Sequence, residues 1–176
     1  DGFEVYNNVF DGSGGIFGAI ELNHDSVMPS LRNNVFYNFT ASVIVGVGSK
    51  PKADGSLSEQ LGYADYNLFY NPKAQKIDNY ACGVKGKAER KDAGFALNDI
   101  PKAGAVDAQA DPKFKGPIPE KFAFDVADIK SGKVTVSQIL KHYREAYSPQ
   151  PGSPLIDAGD PADGAGTDIG AVSAGK

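Results

Sequence analysis

Four residues early in the chain carry side chains that can do acid–base chemistry. Glu21, His24 and Asp25 can donate or accept a proton, and Arg32 can neutralise an anionic group on a substrate. No serine or cysteine nucleophile pattern accompanies His24, so a catalytic triad is not predicted. If a glycan lay across this polar group, a carboxylate could act as general acid or base, so the candidate catalytic residues are Glu21, His24, Asp25 and Arg32.

The alternative is that these residues form an ordinary solvated strand face. Glu21 and Asn23 alternate along a predicted strand, so they lie on one side of it. The positions that match them on the next predicted strand are Ile44 and Gly46, which do not continue a polar groove. Both interpretations remain open from the sequence.

Aspartates concentrate near the end of the chain, among glycines. Together they could wrap oxygen ligands around Ca²⁺, although their spacing does not fit an EF-hand loop. The alternative is that Asp157 and Asp168 accept hydrogen bonds from backbone amides in a terminal turn. The candidate calcium ligands are Asp157, Asp160, Asp163 and Asp168.

A short pattern recurs and indicates stacked units. It ends in Asn-x-Phe, where x is valine or leucine, and its copies begin at Val5, Leu31 and Ala64. The asparagines are 26 residues (34 minus 8) and 33 residues (67 minus 34) apart, which is close to the length of one turn of a solenoid. Amides stacked about 4.8 Å apart can hydrogen-bond along the stack, whereas an isolated asparagine merely tolerates left-handed turn geometry. The predicted ladder comprises Asn8, Asn34 and Asn67.

A second class of strand alternates with these copies. It is represented by residues 19–23 and 42–47, which show the two-residue periodicity of strands with one buried side. The residues predicted to point inward are Ile20, Leu22, Val43 and Val45.

The pattern divides the chain into four segments. Residues 1–72 hold the repeated strands, residues 73–133 are predicted to be an irregular, loop-rich extension, and residues 134–147 an amphipathic helix with Ser137 as its cap. Residues 148–176 are predicted to form a tail that, with the helix, shields the C-terminal end of the stack.

Composition narrows the class of protein. The chain has 176 residues with 21 glycines and 11 prolines, which favours many turns in one folded unit. A net charge of −4, with 18 basic residues scattered among 22 acidic ones, argues against nucleic acid as a partner. No apolar stretch is long enough for membrane insertion.

The end of the chain resembles a known family. Residues 151–161 (PGSPLIDAGDP) and 167–172 (TDIGAV), preceded by Ala-Asp-Pro-Lys-Phe at residues 110–114, resemble the terminal signature of bacterial pectin-lyase-like proteins. This resemblance implies an all-β fold, a right-handed parallel β-helix with irregular loops and one short C-terminal amphipathic helix. It also implies a location outside the cytoplasm: extracellular, on the cell surface or periplasmic.

The family resemblance also suggests a function. It implies part of a polysaccharide lyase or glycoside hydrolase acting on acidic polysaccharide, whose main catalytic residues could precede Asp1. The alternative is a structural or adhesive surface protein that acts as a scaffold. In either case, the end that begins at Asp1 is expected to contact preceding sequence or another chain.

Overall fold

The structure is a computed structural model made of short strands followed by two helices. The strands are β1 (Glu4–Tyr6), β2 (Val9–Asp11), β3 (Ile20–Leu22), β4 (Met28–Arg32), β5 (Val35–Tyr37), β6 (Val43–Val47), β7 (Leu61–Asp65), β8 (Leu68–Tyr70), β9 (Asp78–Cys82), β10 (Phe95–Ala96) and β11 (Ala108–Gln109). The helices are α1 (Val126–Lys130) and α2 (Val136–Ala146). The structure describes residues 2–13, 18–23, 26–40, 43–47, 60–73, 78–82, 95–96 and 106–174.

The strands form three sheets in which equivalent strands pair side by side. The first sheet has the order β1-β4-β7, the second β2-β5-β8-β11 and the third β3-β6-β9-β10. Every pairing is parallel except that of β9 with β10, which is antiparallel. We call β1–β3 the first layer, β4–β6 the second layer and β7–β9 the third layer.

The repeated pattern sets the register between layers. Val9 pairs with Val35 and Val35 with Leu68, and the phenylalanine that follows each of them pairs likewise. The rings of Phe10 and Phe36 are stacked with centroids 5.2 Å apart, and those of Phe36 and Phe69 are stacked at 4.8 Å. Identical or similar apolar side chains therefore pack directly over one another between layers.

The second sheet is apolar on both sides, as is common for parallel sheets. Its phenylalanines face a core shared with the other sheets, which includes Leu31, Val45 and Leu61. Residues on its opposite side join a second cluster that Phe114 and the tail complete. This cluster of buried residues comprises Val35, Leu68, Phe114, Leu155 and Ile169.

Each bend between the first and second sheets combines a left-handed residue with an amide. Asn7, Asn33 and Tyr66 have φ of 54°, 56° and 54° respectively. The next residue is the ladder asparagine: Asn8 Nδ2 donates to Asn34 Oδ1 at 3.1 Å, and Asn34 Nδ2 donates to Asn67 Oδ1 at 3.0 Å. The predicted ladder is confirmed, and the left-handed conformation belongs to the preceding residue.

The predicted amphipathic helix is present as α2, but its cap is not Ser137. Thr135 caps the helix in a reciprocal capping box with Gln138. The C-terminal end of α2 packs on the second sheet, where the Tyr147 hydroxyl donates to Asp11 on β2. Within the described part of the chain, neither helix has the length and apolar character required to cross a membrane.

The prediction of an all-β right-handed parallel β-helix is wrong. The strands fall into three separate sheets, and two helices accompany them; the described residues show no closed solenoid. The repeat specifies which strands lie side by side, but not the path of the chain between sheets. Helix α1 also lies inside residues 73–133, which were predicted to be irregular.

The tail lies along the side of the layers and contacts more than one of them. Gly170 donates its backbone N–H to Asn33 O at 2.8 Å. A Cβ atom at Gly170 would lie 3.2 Å from Val35 Cγ2 and 3.5 Å from Val9 Cγ2, so the backbone approaches the first and second layers closely. The tail therefore covers the second sheet from the side, and shielding of the C-terminal end of the stack stays a prediction.

Candidate functional site

A connected group of polar side chains surrounds Arg32 on the first sheet. Alternate residues of β1, β4 and β7 point away from the core, because Val5, Leu31 and Ala64 point into it. In the register of the sheet, Glu4 lies beside Ser30, and Tyr6 lies beside Arg32. The outer side of this sheet therefore carries a compact polar surface.

Arg32 makes contacts in three directions. Its Nε and Nη2 donate to the two carboxylate oxygens of Asp163, at 2.8 and 3.0 Å. Its Nη1 donates to Ser30 Oγ at 2.5 Å and to Glu4 Oε2 at 3.3 Å. The guanidinium also lies 4.7 Å from the ring centroid of Tyr6. The two parallel hydrogen bonds between the Arg32 guanidinium and the Asp163 carboxylate fix the positions of both side chains.

Further hydrogen bonds hold the tail against the same sheet. Asn33 Nδ2 donates to Asp163 Oδ2 at 2.8 Å, and the Asp160 N–H donates to Asn33 Oδ1 at 2.7 Å. The Tyr63 hydroxyl donates to Asp160 Oδ2 at 2.9 Å. We call Arg32, Asn33, Tyr63, Asp160 and Asp163 the tail latch.

The charges of the latch stabilise one another. Hydrogen bonding from Arg32 lowers the pKa of Asp163, and the bond to Asp163 raises the pKa of Arg32. Burial, reinforced by the hydrogen bond to Asp160, raises the pKa of Tyr63 above its ordinary value. The Arg32–Asp163 pair is thus ionised at neutral pH, and Tyr63 is protonated.

The structure places the two described candidates for catalysis, Glu21 and Arg32, on different sheets. Glu21 is exposed on β3 in the third sheet, whereas Arg32 lies on β4 in the first sheet. His24 and Asp25 lie outside the described residues. Glu21 pairs with Gly46, one of the two matching positions predicted on the next strand, and the other, Ile44, is buried in the core.

Most of the inward residues of the second strand class are found as expected. Leu22 and Val45 are buried, and Ile20 packs against the same core while remaining partly exposed. The side chain of Val43 lies outside the described part of the structure. The two-residue periodicity therefore predicted which side of β3 and β6 faces the core.

The predicted calcium ligands separate into two groups with different partners. Asp160 and Asp163 belong to the tail latch. Asp168 accepts the backbone N–H of Asp157 at 2.8 Å on one oxygen, and that of Ala174 at 2.7 Å on the other. Asp168 therefore fulfils the alternative of a carboxylate that satisfies backbone amides in a terminal turn.

Calcium binding by the tail remains a prediction. Across the described ranges, no group of three or more acidic, histidine or cysteine side chains is arranged to hold a metal ion. A calcium ion at the latch would compete with Arg32 for the carboxylate of Asp163, which already accepts two hydrogen bonds from the guanidinium.

A partly buried carboxylate that sequence reasoning missed, Asp107, forms a fourth rung of the ladder. The Asn67 N–H donates to Asp107 Oδ1 at 2.7 Å, as Asn34 N–H donates to Asn67 Oδ1 at 3.1 Å. The Tyr80 hydroxyl donates to the other oxygen of Asp107 and accepts from Asn67 Nδ2 at 3.1 Å. Asp107 therefore closes the column of amides.

The environment of Asp107 changes its acidity. Burial raises the pKa of Asp107 to about 6, against hydrogen bonds from Tyr80 and Asn67 that lower it. Burial and the neighbouring carboxylate raise the pKa of Tyr80 well above its ordinary value. Asp65 lies close enough to add repulsion, while its own carboxylate accepts the backbone N–H groups of Tyr66 and Val106. Asp107 can thus change protonation state near neutral pH.

Comparisons with known proteins add no relative. No family model, no curated protein and no solved structure matches this chain. The resemblance to pectin-lyase-like proteins therefore stays a prediction drawn from residues 110–114, 151–161 and 167–172.

Proposed function

We propose that the described residues form a rigid scaffold within an extracytoplasmic protein that associates with acidic polysaccharide. The observation that carries this proposal is the engagement of Arg32 by the chain's own tail. Its guanidinium is the group best suited to hold a uronate carboxylate, and it already holds the carboxylate of Asp163 through two hydrogen bonds.

The rest of the polar surface supports the same function. Tyr63 and Asn33 are occupied in holding Asp160 and Asp163. The ladder amides are bonded along the stack, and those of Asn34 and Asn67 are buried, which favours one fixed register between layers. These polar side chains thus fix the positions of neighbouring segments, as a scaffold requires.

A lyase or glycoside hydrolase is the second candidate function. It is favoured by Glu21, whose carboxylate is exposed on β3 just before His24 and Asp25 in the chain. An exposed carboxylate with a histidine nearby in sequence can act as a general acid or base on a bound sugar. The polysaccharide association itself follows from the family resemblance.

The two functions differ in what the chain does to a uronate polymer. We would incubate the chain with polygalacturonate and with alginate, following absorbance from unsaturated products and the release of reducing ends. A scaffold yields neither signal. Product formation that Glu21→Gln abolishes and Glu120→Gln preserves would show an enzyme instead, because Glu120 is an exposed glutamate away from the strands.

A second measurement tests the scaffold directly. The Asp160 and Asp163 amides are both hydrogen-bonded, at 2.7 and 3.0 Å. Replacing Arg32 with alanine should accelerate hydrogen exchange at these two amides while leaving exchange at Ile139 in α2 unchanged. Equal exchange rates in the wild type and Arg32→Ala would refute the structural role of the latch.

A further inference from the structure

The first layer leaves one edge of all three sheets without a neighbour among the described residues. Strands β1, β2 and β3 each stand at the end of their sheet order. A strand edge presents backbone N–H and C=O groups that can pair with another strand. Three such edges, side by side on one layer, form a larger template than a single edge strand.

The first layer is also less buried than the layer beneath it. Val5 and Phe10 are only half-buried, whereas their register partners Leu31 and Phe36 are fully buried. Phe10 stacks on one ring, whereas Phe36 stacks on a ring on each of its two sides. Another layer above Val5 and Phe10 would give them the surroundings that Leu31 and Phe36 have.

The ladder is directional, and its exposed end is an acceptor. Asn34 Oδ1 receives both the backbone N–H and the side-chain amide of Asn8, each at 3.1 Å. Within the described ranges, Asn8 Oδ1 accepts no such pair of hydrogen bonds. The Val35 N–H donates to Asn8 O at 2.8 Å, whereas the equivalent N–H of Val9 has no acceptor among the described residues.

We propose that the edge formed by β1, β2 and β3 binds a separate polypeptide layer that is built like the layers of this chain, and not a second copy of the chain. Its partner presents three short parallel strands, a side-chain amide at the bend that donates to Asn8 Oδ1, and a carbonyl that accepts from Val9 N–H. An apolar ring after the bend stacks on Phe10. The proposal concerns the edge alone, so it stands whether or not the proposed function does.

A layer of the observed kind fits this edge better than a single added strand. One strand could pair with β2 alone, and it would leave the edges of β1 and β3 open. A second copy joined edge to edge about a two-fold axis would place the strands antiparallel, and the ladder would then meet acceptor against acceptor. The parallel register and the amide direction select a layer stacked in the same sense.

The test uses a synthetic peptide of residues 27–47, which carries β4, β5 and β6, added to the whole chain. Amide hydrogen exchange followed by NMR measures protection at Val9, and a titration measures affinity. The control peptide carries Asn34→Ala, which removes the donating amide. We expect the native peptide to slow exchange at Val9 and to bind about tenfold more tightly than the control peptide.

A matched pair of chain variants separates the edge from general effects. Asn8→Ala removes the acceptor at the edge, whereas Asn71→Ala removes an amide that donates to Phe39 O, away from the edge. Only Asn8→Ala should lower affinity for the native peptide, and thermal unfolding verifies that both variants fold. No protection at Val9 with saturating peptide, or equal affinity for both peptides, would overturn the proposal. Protection of Val9 that grows with chain concentration alone would overturn the choice of occupant.

Discussion

Replacing Asp107 with asparagine should stabilise the protein at neutral pH and remove much of a pH dependence. The carboxyl group has a folded pKa of about 6, raised from 3.8, so the folded state binds a proton more tightly than the unfolded state does. Between these two values the folded chain holds more protons, and the free energy of unfolding falls as pH rises. The stability that the protonated Asp107 carboxyl contributes is fully present below pH 3.8 and is lost by about pH 6.

The size of this effect follows from the shift. About two pKa units correspond to about 3 kcal/mol of unfolding free energy at pH 7. An asparagine at position 107 keeps an oxygen that accepts the Asn67 N–H, as Asn67 does for Asn34. The gain from Asp107→Asn should therefore be near zero at pH 3.5, increase through pH 5 and approach about 3 kcal/mol at pH 7.

Urea unfolding at several pH values, followed by tyrosine fluorescence, measures the difference. The matched control is Asp111→Asn, because Asp111 is an exposed aspartate that also accepts a backbone N–H, from Lys113 at 2.8 Å. It should change the unfolding free energy by less than about 0.5 kcal/mol at any pH. If Asp107→Asn were no more stable than the wild type at pH 7, the burial argument would be refuted.

A second variant tests the cause of the acidity. The hydroxyl of Tyr80 donates to the carboxylate of Asp107 and lowers the pKa of that group. Tyr80→Phe should therefore move the pKa of Asp107 upward, as seen in the titration of its carboxyl carbon by NMR. An unchanged titration would show that this hydrogen bond does not contribute in solution.

Three further predictions concern the ladder, the latch and the bend. Asn34→Ala should lower the unfolding free energy by about 3 kcal/mol, because buried groups lose their hydrogen-bond partner. Asn8→Ala should lower it by less than half of that in the same urea titration. A double-mutant cycle of Arg32→Ala and Asp163→Ala should give a coupling of about 1 kcal/mol that vanishes as pH falls and Asp163 is protonated. Tyr66→Gly should be more stable than Tyr66→Ala by roughly 0.5–1 kcal/mol, since both lose the ring but only glycine tolerates φ near +54°.

The repeated unit predicted the parts of the fold that depend on local pattern. Asn8, Asn34 and Asn67 were found from sequence because each is followed by an apolar residue and then phenylalanine. The third copy, Tyr66-Asn67, already distinguished the two roles at the bend, since it keeps only the second asparagine. Strand pairing between layers and helix α2 could also be predicted, because each copy of the repeat and the helix carry their pattern within a short stretch of sequence.

Features that depend on distant residues could not be predicted. Asp107 follows Asn67 by 40 residues and carries a different side chain, so the repeat did not reveal it as a rung. The Arg32–Asp163 pair joins residues 131 positions apart, and the local sequence around neither residue indicates the other as its partner. Helix α1 has five residues, too few for a hydrophobic period to be recognised.

The interchangeable rungs have a consequence for how such a chain can change in length. Asn34 offers to Asn67 the same donors that Asn8 offers to Asn34, so a gene that lost or duplicated one whole repeat would still encode matching contacts at the junction. A single inserted residue inside β5 would instead reverse which side chains face each core. Natural variants should therefore differ by complete repeats, and the strands themselves should resist insertions.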